Sequence, residues 1–156
     1  MDIFPQLVAN SIIAGSIYAL VALGFTLIYG ATKFFNLAHG SSVAVGGYAV
    51  FSFYQILGWN LFLSVVLGIL IAGATGYALD KIIYLPLRKR KASNMILLVA
   101  SLGAFTVIQA ALAMLFTSQF QTLSLGESVA TFEFMGGIIT KTQLIMIFAA
   151  IFIAAL

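Results

Sequence analysis

The chain has 156 residues, 63% of them apolar and only 7% charged, and a mean hydropathy of +1.16, values that exclude a soluble globular domain and identify an integral membrane protein. With no cysteine, one histidine and four scattered carboxylates, it can form neither a disulfide framework nor a zinc or di-iron centre, so no metal and no cofactor is implied. The net charge of +3 sits beside apolar runs, where topology and anionic lipid explain it better than nucleic acid does.

Residues 7–29 carry no charge and match the roughly 20 residues that cross a ~30 Å hydrocarbon core as a helix. This predicts a first, retained span. Asp2 and Pro5 precede it without a basic residue, and the apolar run is too long for a cleaved leader. Ser11, Gly15, Ala19 and Ala22 share one helical face, a pattern that lets membrane helices approach closely.

Residues 35–48 break the hydrocarbon monotony with Asn36, His39, Gly40, Ser41, Ser42, Gly46 and Gly47. Polar groups at membrane depth are costly unless protein or water lines them. A second span over residues 41–57 is therefore expected to be a broken or glycine-loosened helix. Gly58, Trp59 and Asn60 predict a tight turn with an interfacial tryptophan. The third span, residues 61–79, repeats Ser64, Gly68, Ala72 and Gly76 at every fourth position, so it should cross a neighbour at short distance.

Residues 80–92 form a basic stretch in which Pro86 is expected to stop the preceding helix. Lys33, Lys81, Arg88, Lys89, Arg90 and Lys91 fall on one side if the first three spans alternate, leaving Lys141 opposite. Positive residues stay in the cytoplasm, which puts the N-terminus outside. Docking of an acidic partner or a lipid headgroup is the alternative use of this run.

The fourth span covers residues 95–116, with the Gln109 amide midway along it, suited to an interhelical hydrogen bond. Residues 117–142 make a long external segment carrying Glu127 and Glu133. Within it, residues 130–135 and 138–140 flank Gly136 and Gly137 as a small hairpin. A fifth span begins at residue 143 and reaches only ~21 Å by residue 156, as expected of the first part of a larger membrane protein. The fold class is thus an all-α integral membrane protein: a polytopic helical bundle with one broken helix and a small external hairpin, forming one transmembrane domain over residues 1–156.

The chemistry is narrowed by what the spans lack. A Ser-His-carboxylate constellation would need those groups near one another, whereas the four carboxylates sit at span ends or outside and His39 near the inner end, so the chain is not read as an enzyme and no catalytic residue is assigned. No predicted span holds Asp, Glu, Lys or Arg, which argues against ion coupling. The phosphate-binding GxxxxGK[ST] motif does not occur, so energy from ATP has to come from another chain.

The run 10–30, then Asn36-Leu37-Ala38-His39-Gly40 and Gly46-Gly47-Tyr48, followed by Tyr84-Leu85-Pro86-Leu87-Arg88 and the run 97–109, resemble the permease subunits of bacterial branched-chain amino acid ABC importers. The resemblance covers about residues 7–145. It departs where Leu85 stands for the arginine usual before the proline, and in the absence of the family's second half, which carries the loop that contacts the ATPase. It implies a multi-pass inner-membrane subunit that pairs with a second permease in a homo- or heterodimer. Two ATP-binding subunits and a periplasmic substrate-binding protein would complete the importer, which moves leucine, isoleucine or valine. Relatives in the same superfamily carry urea, short amides or sugars, and a passive channel or a structural membrane subunit is the alternative of a different class.

On that reading Gly40, Ser41 and Ser42 leave backbone N–H groups for a carboxylate at the start of the second helix, with Asn36 and His39 adding hydrogen bonds. Val43 and Val45 would guide the apolar side chain, with Gly46 and Gly47 further along the route. The alternative is that this stretch only packs the helix break. Gly15, Ala19, Gly68, Ala72 and Gly76 are assigned to helix packing, and Glu127 and Glu133 to docking of the binding protein.

Overall fold

The computed structural model describes residues 3–116, 131–134, 137–140, 144, 147–148 and 150–152. They belong to two compact units, one from Met1–Thr26 with Leu125–Leu156 and the other from Leu27–Ser124.

Helix α1 runs Ile3–Thr32. Its hydroxyls have no water to bond in an apolar medium, so they turn back on their own helix. Ser11 Oγ donates to the Leu7 carbonyl, Ser16 Oγ to Ile12 and Thr26 Oγ1 to Ala22, each at 2.8 Å. In the first unit, strands β1 (Thr131–Phe134) and β2 (Gly137–Thr140) pair antiparallel, with Thr131 opposite Thr140 and Phe134 opposite Gly137. The expected hairpin is therefore present, although Gly137, read from sequence as part of the turn, opens β2 instead. Helical backbone is described at Leu144, Ile147, Phe148, Ala150, Ile151 and Phe152.

The second unit opens on the end of α1. Lys33 takes φ 59° and its N–H bonds the Tyr29 carbonyl at 2.8 Å, a left-handed cap in a position that usually favours glycine. Residues 33–38 are not helical, and α2 follows over His39–Phe51. The expected break does not fall within the second span: the non-helical stretch precedes α2, the helix is continuous over residues 39–56, and α2 is not among the helices long and apolar enough to cross a membrane. With 13 residues α2 is only ~20 Å long, and a π-helical turn, Ser52–Ile56, extends it. Gly58 at φ 69° reverses the chain, and Asn60 caps α3 (Leu61–Leu79) by accepting from the Phe62 N–H at 2.9 Å.

Beyond Leu79 the structure departs from the expected loop. The helix does not stop before Pro86 but passes through a π-helical turn, Asp80–Tyr84, into α4 (Leu85–Lys89). Proline lacks an N–H and its ring clashes with the carbonyl four residues back. The widened turn just ahead of it moves the backbone out of that register, with the Leu85 N–H bonding the Asp80 carbonyl five residues back. The helical body ends instead at Lys91, φ 55°, where Lys91 N–H bonds Arg88 O and Ala92 N–H bonds Leu87 O, both at 3.0 Å, the paired hydrogen bonds of a Schellman motif. Helix α5 (Asn94–Phe116) completes the unit.

Gln6–Thr32, Leu61–Lys89 and Asn94–Phe116 are each long and apolar enough to cross a membrane. Large side chains such as Ile69, Leu115 and Met114 are exposed along them, as suits lipid or helices of a larger assembly. Asp80 and Lys81, assigned to a loop by sequence, lie within the second of these helical bodies.

Within the unit, α2 packs against α3 at small residues. Gly68 is buried, and a Cβ built on it would run into Val50 Cγ2 and lie 3.0 Å from the Gly46 carbonyl oxygen. A Cβ on Gly46 would lie 3.0 Å from Ala72 Cβ. The expected seam is thus real at Ser64, Gly68 and Ala72, and it opens at Gly76, around whose Cβ position nothing lies within 4 Å. Gly15 is equally uncrowded, and Ala19 is exposed, so the small face of α1 is unpacked among the described residues. Gln109 is also exposed on α5.

Candidate functional site

The non-helical segment between α1 and α2 is held by hydrogen bonds from distant parts of the chain. Asn94 Nδ2 donates to the Lys33 carbonyl at 3.1 Å. Ser101 Oγ accepts from Leu37 N–H at 3.1 Å and lies within bonding reach of the Phe35 and Leu98 carbonyls, at 3.3 and 2.7 Å. Tyr84 OH donates to Asn36 Oδ1 at 2.7 Å, and the Ala38 N–H donates to the same oxygen at 3.1 Å. An N–H can only donate, so Asn36 must present its oxygen here, which leaves the Nδ2 hydrogens for another acceptor. Beneath this junction Phe34, Tyr84 and Leu97 form a buried cluster with the Phe34 and Tyr84 rings edge to face, their centroids 5.0 Å apart.

This architecture makes one measurable ordering. Ser101→Val strips the Leu37 N–H of its acceptor and is expected to cost about 1–3 kcal/mol, whereas Tyr84→Phe keeps the ring packing and loses one hydrogen bond worth about 0.5–1.5 kcal/mol. Denaturant or thermal unfolding of the purified variants checks it; the reverse order contradicts the clamp.

Beside the junction, a cavity of about 530 Å³ lies where the seam between α2 and α3 opens. Such a volume falls within the ~300–1,000 Å³ range of small-molecule sites. Ile28, Val43, Ile69 and Leu79 give it apolar walls, while Gly73 and Gly76 leave room by having no side chain. Its polar groups are Thr32, Asn36, His39, Ser42, Asp80 and Tyr84.

The residues singled out by sequence divide. Asn36, His39 and Ser42 line the cavity. Ser41 is fully buried, and its hydroxyl donates to the Ala38 carbonyl at 2.7 Å. Ser42 Oγ reaches the same carbonyl at 3.3 Å, so both hydroxyls serve the first turn of a helix whose N-cap, Ala38, has no capping side chain. Gly40 faces Phe105, with Cε2 3.8 Å from a built Cβ, and Gly46 packs on α3; Gly47 meets nothing within 4 Å. Of the two docking candidates, Glu127 lies outside the described residues, and the Glu133 backbone pairs with Ile138 in the hairpin. Sequence reasoning did not assign Tyr84, Ser101 and Asp80 to the site. Their signal was a hydroxyl or carboxylate in an otherwise apolar helix, and it gains meaning only through partners far along the chain.

The family described as the branched-chain amino acid transport system / permease component matches residues 7–156. The chain belongs to that family. This permease chain is 33% identical over 114 residues to the high-affinity branched-chain amino acid transport system permease protein LivH of Escherichia coli K12, which covers 68% of the chain and 36% of the relative. To the permease protein BraD of Pseudomonas aeruginosa it is 30% identical over 161 aligned residues, 96% of the chain and 52% of the relative. A probable branched-chain amino acid transport permease protein LivH of Methanocaldococcus jannaschii shares 33% identity over 98 residues, 63% of the chain and 31% of that protein. The permease chain therefore spans about half, or less, of the length of the curated relatives it matches. No solved structure matches it significantly. Membership and the apolar helices together make it a multi-pass membrane protein.

Proposed function

We propose that this chain forms part of the translocation pathway of an ATP-driven importer for branched-chain amino acids, in the bacterial inner membrane. The observation that carries the proposal is the family match over residues 7–156; the cavity between the start of α2 and the end of α3 supports it. The substrate route runs past Asn36, His39 and Ser42. The start of α2, where first-turn N–H groups lack intrahelical acceptors, lies beside the cavity at His39 and Ser42 and suits a carboxylate, while Gly40 and Ser41 support that turn from behind. Gly46 and Gly47 belong to the same route only through the backbone they keep close to α3 and open to the other side. The chain performs no covalent chemistry.

A second permease subunit, two ATP-binding subunits and a periplasmic substrate-binding protein complete the machine, with Glu127 and Glu133 contributing to the surface that receives the binding protein. Orientation follows from charge. The Asn94–Lys33 hydrogen bond brings Lys33 to the same end as the basic run 88–91, and that end is cytoplasmic on the positive-inside rule, which puts the N-terminus outside.

The test is uptake of radiolabelled leucine, isoleucine and valine into proteoliposomes holding the complete transporter and its binding protein. ATP-dependent accumulation is expected, without competition from excess urea. Equilibration without ATP, as through a passive channel, or transport inhibited by urea but not by valine, would overturn the reading.

A further inference from the structure

The carboxylate of Asp80 has a place in the cavity that its assignment to a basic loop does not explain. Asp80 opens the π-helical turn and Tyr84 closes it, and both line the cavity. Asp80 follows directly on the apolar run of α3, within a helical body long enough to cross a membrane, and an ionisable residue that lines a cavity at such a place is a candidate for contact with a polar solute. Among the described residues, Asp80 is the one carboxylate that lines this cavity.

Its bonding leaves it available. Arg88 Nη2 pairs with Oδ1, and no partner holds Oδ2 among the described residues. The two side chains are 36% and 46% exposed, and exposed ion pairs contribute little net stability, at most about 1 kcal/mol. A second cation can therefore share or displace Arg88 at low cost. The cavity also offers donors, the Asn36 amide and the His39 imidazole, and aliphatic walls at Ile28, Val43, Ile69 and Leu79. An anion, a set of donors and an apolar pocket together match a zwitterion with an aliphatic side chain.

We infer that Asp80 is the ammonium-binding residue of this cavity, receiving the α-amino group of an aliphatic amino acid while the Asn36 and His39 end receives its carboxylate. The inference rests on the transport reading above and names the group that would make the site prefer amino acids over neutral or anionic solutes. Arg88 acts as the resident counter-ion that the ammonium replaces, which keeps the carboxylate paired when the cavity is empty.

The experiment uses the complete transporter in lipid nanodiscs without its binding protein. Equilibrium dialysis measures binding of radiolabelled leucine and of 2-hydroxy-4-methylpentanoate, which lacks the ammonium. Wild type is expected to favour leucine. Asp80→Asn should weaken leucine by roughly tenfold or more and leave the hydroxy acid unchanged, the loss of one charge-assisted hydrogen bond. Arg88→Gln, which breaks the same ion pair but keeps the carboxylate, should hold leucine as tightly as wild type or more so. Wild-type leucine binding by Asp80→Asn overturns the inference. So does equal weakening by both variants, which would make Asp80 a partner of Arg88 only, and so does a wild type that binds no leucine in any nucleotide state. ATP-driven leucine uptake by the wild type, measured in parallel, separates the two proposals: its absence defeats the transport reading, while its presence with unaltered discrimination in Asp80→Asn defeats this inference alone.

Discussion

Gly68→Val is expected to abolish the folded second unit. Helices α2 and α3 meet where neither carries a side chain, and a single Cβ at position 68 already collides with Val50 Cγ2 and presses on the Gly46 carbonyl oxygen. The oxygen belongs to a helix backbone and cannot swing aside, so α2 would have to move away along its length. In a membrane, lipid tails are as apolar as the helix faces, and close packing rather than exclusion from water holds helices together. Losing that approach therefore removes most of what binds the pair. Gly68→Ala should destabilise by about 1–3 kcal/mol, and Gly68→Val by ~3 kcal/mol or more, leaving little monodisperse protein. The double variant Gly68→Ala with Val50→Ala should recover part of the loss, because it removes the nearer of the two obstacles. Gly73→Ala, with nothing within 4 Å of the added carbon, should cost nothing. Denaturant titration in detergent distinguishes these cases, and equal stability of Gly68→Ala and Gly73→Ala would show that the seam does not hold the helices.

The long apolar runs were legible because crossing a hydrocarbon core demands length and hydropathy that no other element needs; residues 61–79 reappear unchanged as α3. The hairpin was legible for a local reason as well, two glycines between short β-forming runs. The polar interruption at residues 35–48 was legible as an anomaly, but not in its internal division of labour. Serines at positions 41 and 42 look alike in sequence to residues that greet a solute, yet both are within reach of the Ala38 carbonyl, the local alternative always open to a hydroxyl on a helix. The clamps on the junction were illegible because they join residues 48, 64 and 66 positions apart, and no periodicity records such pairings. Pro86 misled for a physical reason: proline forbids the regular turn before it, but a π-helical turn satisfies the same backbone with one extra residue.

Gly76 differs in its surroundings from the other members of the same stripe of small residues. Gly68 and Ala72 are small where α2 approaches, whereas Gly76 is small beside empty space and lines the cavity. A Cβ there meets nothing within 4 Å and enters the cavity, so if the proposed route is right a substitution should affect passage more than folding.

The most direct test of the account is a size series at this position, Gly76→Ala, Gly76→Val and Gly76→Leu, in ATP-driven leucine uptake by the complete reconstituted transporter, with co-purification of the ATP-binding subunits as the measure of assembly. The account predicts that assembly stays intact while uptake falls with each added carbon, modestly for alanine and by about 100-fold or more for leucine, the loss of roughly 3 kcal/mol of solute accommodation. Uptake by an assembled Gly76→Leu transporter at the wild-type rate would show that the solute does not pass through the cavity between α2 and α3.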